Sequence, residues 1–250
     1  MKLDWIIEPA DIAKVKAFVD EHRENAFVQS RVKRNLRSKK PSVSREEFWE
    51  VLVGCLLTTQ QRSGPNSPVS RFMGKQPFPL SLGTCCGQSE MEKFVGKTLR
   101  SFGGLRRFSV IGRELAANLN FLCNGGWDAT LEQLEKVRLN STPKTEREAA
   151  DFVADHFKGI GPKQSRNLLQ WLGLSRYETP IDSRITRWLN EFGFPLQLSA
   201  KALADRNYYN LVAEGFQKLA GACGVMPCIL DAAIFASYDG DGWTTENVVG

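Results

Sequence analysis

Lys163 and Asp182 are the pair in this 250-residue chain whose types and spacing could do covalent chemistry. Lys163 directly follows the turn Gly159-Ile160-Gly161-Pro162, and Asp182 stands further on in the segment TPIDSRITRWL. A lysine amine is a nucleophile only when neutral, a form that burial and neighbouring cations favour. Lys158, Arg166 and the start of the helix that Pro162 would open all push Lys163 that way. A carboxylate at a helix start stays anionic, and it can stabilise positive charge developing on a reacting group or assist its proton transfers. Taken alone, Asp182 after Pro180 reads first as an ordinary N-cap, and only its spacing from Lys163 favours the chemical role. The two glycines permit close backbone approach, and the unpaired N–H groups of the following helix can hold a phosphate without reading sequence.

Helices must position these groups. Apolar and polar residues almost nowhere alternate over a strand length, so the expected class is all-α. A first amphipathic helix is expected over 11–29 with Ile12, Val15, Val19 and Phe27 inward, followed by the basic segment 30–40 as a connection. Ser44 and Glu47 form a capping box, after which Phe48, Leu52, Cys55, Leu56 and Thr59 share one face. That buried helix delivers Gln60 and Gln61 at its C-terminal end, and RSGPNSP stops it. The stretch 74–88 reads as a proline- and glycine-rich loop. Further helices are expected over 89–101, 108–122, DATLEQLEKV, TEREAADFVADHF, 162–172, 182–192, 199–222 and 227–238.

Composition narrows the function classes. With 42% hydrophobic residues the chain can bury real cores without disulfides or metals. The formal charge is +5, and residues 30–40 hold six basic residues and no acid, a run suited to a phosphate backbone or to a solvated face. None of the six cysteines forms a C-x-x-C pair and most read as reduced core residues, while two histidines exclude a His-rich zinc site, so no metal centre is expected. His156 has no serine nucleophile elbow to serve and reads as structural. Apolar runs are too short for a membrane span, and MKLDWIIEPA places acids where a leader would carry its apolar core. A soluble protein is expected, cytoplasmic or, in a eukaryote, nuclear.

Gly159-Ile160-Gly161-Pro162-Lys163 with the spaced Asp182 resembles the helix-hairpin-helix signature of the base-excision DNA glycosylase superfamily. VGCLLTTQQ, and the run from GGLRRF through GGWD to KGIGPK, resemble that superfamily in order and spacing, so the likeness covers roughly 44–195. It implies two helical subdomains, one spanning 44–175 and one built from 1–43 plus 176–250, with Lys163 and Asp182 facing each other across a DNA-binding cleft. A lysine at position 163 implies the glycosylase/AP lyase branch. There Lys163 attacks C1′ of the deoxyribose, displaces the damaged base and forms a Schiff base, and β-elimination cuts the strand. The absence of four closely spaced C-terminal cysteines excludes an iron–sulfur cluster. The short N-terminal segment favours a compact relative of the 8-oxoguanine enzymes.

The resemblance implies a monomer acting on double-stranded DNA that carries a damaged base, 8-oxoguanine first. It requires no redox cofactor and allows a monovalent cation at the hairpin. Gly159, Ile160, Gly161, Arg166 and Arg184 are expected on DNA, with Gln60 and Gln61 filling the gap left by a flipped nucleotide and Arg106 and Arg107 on phosphates or the orphaned base. Asn167 stands one turn after Lys163, where a residue would meet the flipped base. Trp127, Phe216, Phe235 and Trp243 are candidates for its stacking wall, although aromatics at helical spacing are commonly core. Alternatives are an enzyme for oxidised pyrimidines, a monofunctional glycosylase for alkylated or other bases in which Asp182 activates water, and a non-enzymatic DNA-binding module.

Overall fold

The computed structural model describes residues 4–238 and 242–244, and among them thirteen α-helices and no strand occur. Two hydrophobic cores organise them. The first is built by α3 (Arg45–Leu57), α4 (Pro68–Met73), α5 (Leu82–Cys86), α6 (Met91–Phe102), α7 (Phe108–Phe121), α8 (Trp127–Leu139), α9 (Pro143–His156) and α10 (Pro162–Trp171). The second joins α1 (Pro9–His22) and α2 (Ala26–Asn35) to α11 (Ser183–Phe192), α12 (Arg206–Ala222) and α13 (Pro227–Tyr238). The chain therefore leaves one core after α2 and returns to it at Ile181.

α3 begins as its sequence demands, with Glu47 N donating to Ser44 Oγ at 3.2 Å and Ser44 N donating to Glu47 Oε2 at 2.8 Å. Phe48, Trp49, Leu52 and Leu56 are fully buried, each removing side-chain area worth about 1.5–3 kcal/mol from water. A side chain at Gly54 would come within 2.5 Å of the Trp171 ring, so α3 and α10 touch almost backbone to ring. That close crossing brings the C-terminal end of α3 beside the first turn of α10.

Three expectations need correction. The helix expected over 11–29 is two helices, because Asn25 accepts Phe27 N at 2.9 Å and caps a new start. The basic segment is consequently not a linker: residues up to Asn35 are helical, and Arg31 and Asn35 are buried. The helix expected from 199 starts at Arg206, where Asp205 accepts Tyr208 N at 2.9 Å. Within the loop expected over 74–88, Ser81 caps the short α5. No single helix among the described residues is long and apolar enough to cross a membrane.

Candidate active site

The turn between α9 and α10 depends on Gly159, whose φ of +81° is a left-handed conformation that disfavours side chains. A Cβ there would also lie 2.5 Å from the Glu114 carboxyl carbon. Ile160 anchors the turn in the first core. Asn118, buried in α7, clamps it from below: Lys158 N donates to Asn118 Oδ1 at 2.7 Å and Asn118 Nδ2 donates to Lys158 O at 3.1 Å. Gly161 then forms the N-cap of α10 without a side chain, Pro162 occupies its first turn, and Lys163 follows, half-buried. The first N–H groups of this helix have no intrahelical partner.

Asp182 caps α11. Its Oδ1 accepts Arg184 N at 2.8 Å and Ile185 N at 3.1 Å, while Arg184 Nη1 donates to Oδ2 at 3.1 Å. The ordinary capping role and a place in the cleft are thus held by the same carboxylate. The connection that carries it, from Gly173 to Ile181, is almost wholly buried and is tied down by two glutamates. Glu146 accepts Arg176 N at 2.9 Å, Tyr177 N at 2.8 Å and Glu178 N at 3.0 Å. It also receives Ser175 Oγ at 3.0 Å and lies 3.5 Å from Lys40 Nζ, whose pKa burial pulls down to about 8 against this carboxylate's attraction. Glu178 binds Arg166 Nε at 2.9 Å and Arg147 at 3.0 Å.

Lys163 and Asp182 both line one cleft of about 1130 Å³. Gln60, Gln61, Asn167 and Arg184 share its walls, as do Phe235 and Trp243. Asn167 lies low in the wall, with Nδ2 3.3 Å from Gln164 Oε1. Gln164 in turn donates to Cys55 O at 2.8 Å and Thr59 Oγ1 at 2.7 Å, fixing α10 to the end of α3. Cys55 lies beneath this contact, its thiol pushed up to about 12 by burial, and is chemically quiet.

Several site expectations fail on burial. Arg166 is fully enclosed, bonded to Glu178, Asp151 and Asn210 at 2.9–3.0 Å, and can neither touch DNA nor act as an uncompensated cation toward Lys163. Trp127 packs edge-on against Phe48 in the first core, and Phe216 lies in the second, so neither lines the cleft. Arg107 is half-buried, with φ +57°, and pairs with Glu114 at 3.5 Å rather than standing free for a phosphate. Arg106 is exposed but outside the cleft wall, and its backbone N donates to Gln61 Oε1 at 2.7 Å. Gln61 Nε2 donates to Leu57 O at 2.7 Å, so its amide is engaged within the protein, whereas Gln60 is exposed with φ +59°.

Phe27, expected only as an inward residue of the first helix, stacks on Phe235 at 4.3 Å between ring centres, and the Arg184 guanidinium lies over the Phe235 ring at 4.1 Å. Asp231 escaped the sequence reading altogether. Asp231 accepts Arg31 Nη1 at 3.1 Å and Gln170 Nε2 at 2.8 Å, both on Oδ2. Burial raises its pKa to about 6, against the pull of Arg31 and with a push from Asp182. A lone acid inside PCILDAAIFASY was a legible signal, since a charge in an apolar helix needs a partner or a task. Glu146 offered no comparable signal.

No family model matches the chain. A curated relative, the 8-oxoguanine DNA glycosylase/AP lyase of Sulfolobus acidocaldarius, is 33% identical over 104 residues, covering 41% of this chain and 48% of the relative. The match thus spans about half the length of that relative. The 8-oxoguanine DNA glycosylase of Methanocaldococcus jannaschii superposes with a TM-score of 0.66 at 16% identity, covering 93% of this chain and 96% of the other. That of Thermotoga maritima gives 0.64 at 17% identity, over 92% and 96%. The Methanocaldococcus jannaschii 8-oxoguanine glycosylase/lyase in complex with 15mer DNA containing 8-oxoguanine gives 0.64 at 16% identity, over 93% and all of that chain. At these identities the likeness shows a shared all-helical fold over nearly the whole chain.

Proposed function

We propose that this chain is a bifunctional DNA glycosylase/AP lyase that flips an oxidised base, 8-oxoguanine in the first instance, out of double-stranded DNA and excises it. The observation that carries the reading is the placement of Lys163 and Asp182 at the starts of two helices that line one cleft. The curated relative and the structural neighbours, named for 8-oxoguanine chemistry, support the same substrate. Gly159, Ile160 and Gly161 bring a glycine turn and an uncapped helix start to the strand, where main-chain N–H groups hold a phosphate. The flipped base enters the cleft against the packed cluster of Phe27, Phe235 and Trp243, with Asn167, Gln170 and Asp231 as its polar neighbours.

The Lys163 amine, once deprotonated, forms a bond to C1′ as the glycosidic bond breaks and the base leaves with its electron pair. Loss of a proton from the new C1′–N bond and opening of the sugar give the Schiff base. Abstraction of a C2′ proton then expels the 3′ phosphate by β-elimination. Asp182, which accepts two backbone N–H groups and pairs with Arg184, stabilises positive charge on the sugar while the base departs. A monovalent cation at the hairpin would be held by the turn together with Glu114 Oε2, the oxygen left without a partner while Oε1 pairs with Arg107 at 3.5 Å. The reading is of a monomer needing no redox cofactor, in the cytoplasm or, in a eukaryote, the nucleus.

Borohydride reduction on a duplex containing 8-oxoguanine tests the proposal. Wild type should give a covalent complex, Lys163→Gln none, and Asp182→Asn should lower the single-turnover rate about 10²- to 10⁴-fold. Trapping by Lys163→Gln overturns the assignment. Base release without trapping would indicate a monofunctional enzyme, and binding without release a DNA-binding module. Release from oxidised pyrimidines but not 8-oxoguanine would move the substrate.

A further inference from the structure

We infer that Arg34 and Arg37, on the cleft-facing side of α2 and just beyond its end, clamp a phosphodiester of the DNA strand entering the cleft. The inference rests on the functional reading above and adds the wall along which the strand runs. Arg31, Lys33, Arg34 and Arg37 all line the cleft, with three arginines spaced at successive turns. Their environments differ in kind. Arg31 is buried and already answered by Asp231 at 3.1 Å. Arg34 is half-buried, and its hydrogen bond runs to Ser30 Oγ at 3.4 Å while no carboxylate partners it among the described residues.

A guanidinium withdrawn from water without an anion is unfavourable, and its pKa moves accordingly, down to about 10 through burial first and then the repulsion of Arg31 and Arg37. It remains charged at neutral pH. Favourable placement of cations near a helix C-terminus accounts for basic residues here but not for their burial. The position is also held firmly. Arg34 Cγ would lie 3.3 Å from a Cβ built at Gly173, whose φ is +71°, so the stem packs on the connection that carries Asp182. Arg37 Nε donates to Lys33 O at 2.8 Å, and Arg176 Nη2 donates to Arg37 O, which fixes the backbone while the Arg37 head stays exposed.

A phosphodiester is the anion that fits: planar guanidinium forks pair bidentately with phosphate oxygens, and a strand supplies that group at the mouth of the cleft. Glu47 and Glu50 also line the cleft, so the α2 side is the wall that can accept the backbone.

Fluorescence anisotropy on a duplex bearing a stable abasic-site analogue, repeated over a salt series, tests this. Each neutralised phosphate contributes a slope of about −0.9 in log K against log salt. Arg37→Ala and Arg34→Gln should each flatten the slope by part of that amount and weaken binding several-fold, and the double variant should flatten it by about 0.9, the whole of one phosphate contact. An unchanged slope in the double variant overturns the clamp. Should Arg34→Gln lower the melting temperature, exposed Arg37→Ala alone decides, and its unchanged slope has the same force. Inorganic phosphate at matched ionic strength should shift the melting temperatures of wild type and double variant equally; a shift confined to wild type means the free ion occupies the site and also overturns the proposal. If wild type neither binds nor processes lesion DNA, the functional reading has failed instead.

Discussion

Glu146 and Asp231 are both buried carboxylates beside a cation, and they are used in opposite ways. Glu146 engages both oxygens, receiving three consecutive backbone N–H groups, Ser175 and Ser141 hydroxyls and the Lys40 ammonium. Asp231 receives Arg31 and Gln170 on Oδ2 alone, and Oδ1 makes no hydrogen bond among the described residues. A carboxylate whose lone pairs are all answered fixes a loop. One with an oxygen left over, on a cleft wall, has capacity to meet a ligand. Saturation, rather than burial, separates structure from site in this molecule.

Glu146→Ala should produce the largest stability loss, because it strands Lys40 and three backbone donors at once. Breaking a buried pair of this kind costs roughly 3–5 kcal/mol, which for a chain of this size lowers the melting temperature by about 10 °C. The excision rate should fall with it, since the loosened 173–181 connection carries Asp182. Calorimetry showing a loss below about 1 kcal/mol would mean the loop is held by Glu178 and its arginines instead.

Asp231→Asn should cost less, roughly 1–3 kcal/mol, because the amide oxygen still accepts from Gln170 and Arg31. Its pH dependence is more informative than its size. The folded carboxyl has its pKa raised from 3.8 to about 6, so its proton is held more tightly in the folded state. That contribution is fully present below about pH 4 and is lost as pH rises through 6. The melting temperature of wild type relative to Asp231→Asn should therefore decline between pH 4 and pH 7. A flat difference would place Asp231 with Glu146, as a purely structural acid.

How much of this was legible beforehand follows from the range of the interactions. The hairpin and the helices that carry Lys163 and Asp182 rest on neighbours within a few residues: Gly159's left-handed turn, Pro162 at a first turn and the Ser44–Glu47 box. Arg166 had the right type and position for DNA contact, but its partners Glu178, Asp151 and Asn210 lie up to 44 residues away, and only folding reveals them. Trp127 and Phe216 were indistinguishable in sequence from Phe235, since an aromatic at helical spacing shows that one face is buried and not against what. The continuous apolar pattern over 11–29 conceals the Asn25 cap that starts α2, and only that break turns the arginines of α2 into a cleft wall.

Gln60 and Gln61 repeat the carboxylate contrast on a smaller scale and give the finest test. Gln61 is engaged by Leu57 O and Arg106 N, which joins the end of α3 to the start of α7. Gln60 has no such bond and holds φ at +59°, a strained state for a residue with a side chain, kept only when the surroundings impose it. Gln61→Ala should lower stability by about 1 kcal/mol. Gln60→Ala should leave the melting temperature within about a degree, a surface effect of a few tenths of a kcal/mol. It should weaken binding to a lesion duplex, relative to undamaged DNA, by about three- to tenfold, the worth of roughly one hydrogen bond. If the affinity loss belongs to Gln61→Ala instead, the Arg106 turn reorganises on binding and the gap-filling amide is the one that is engaged here.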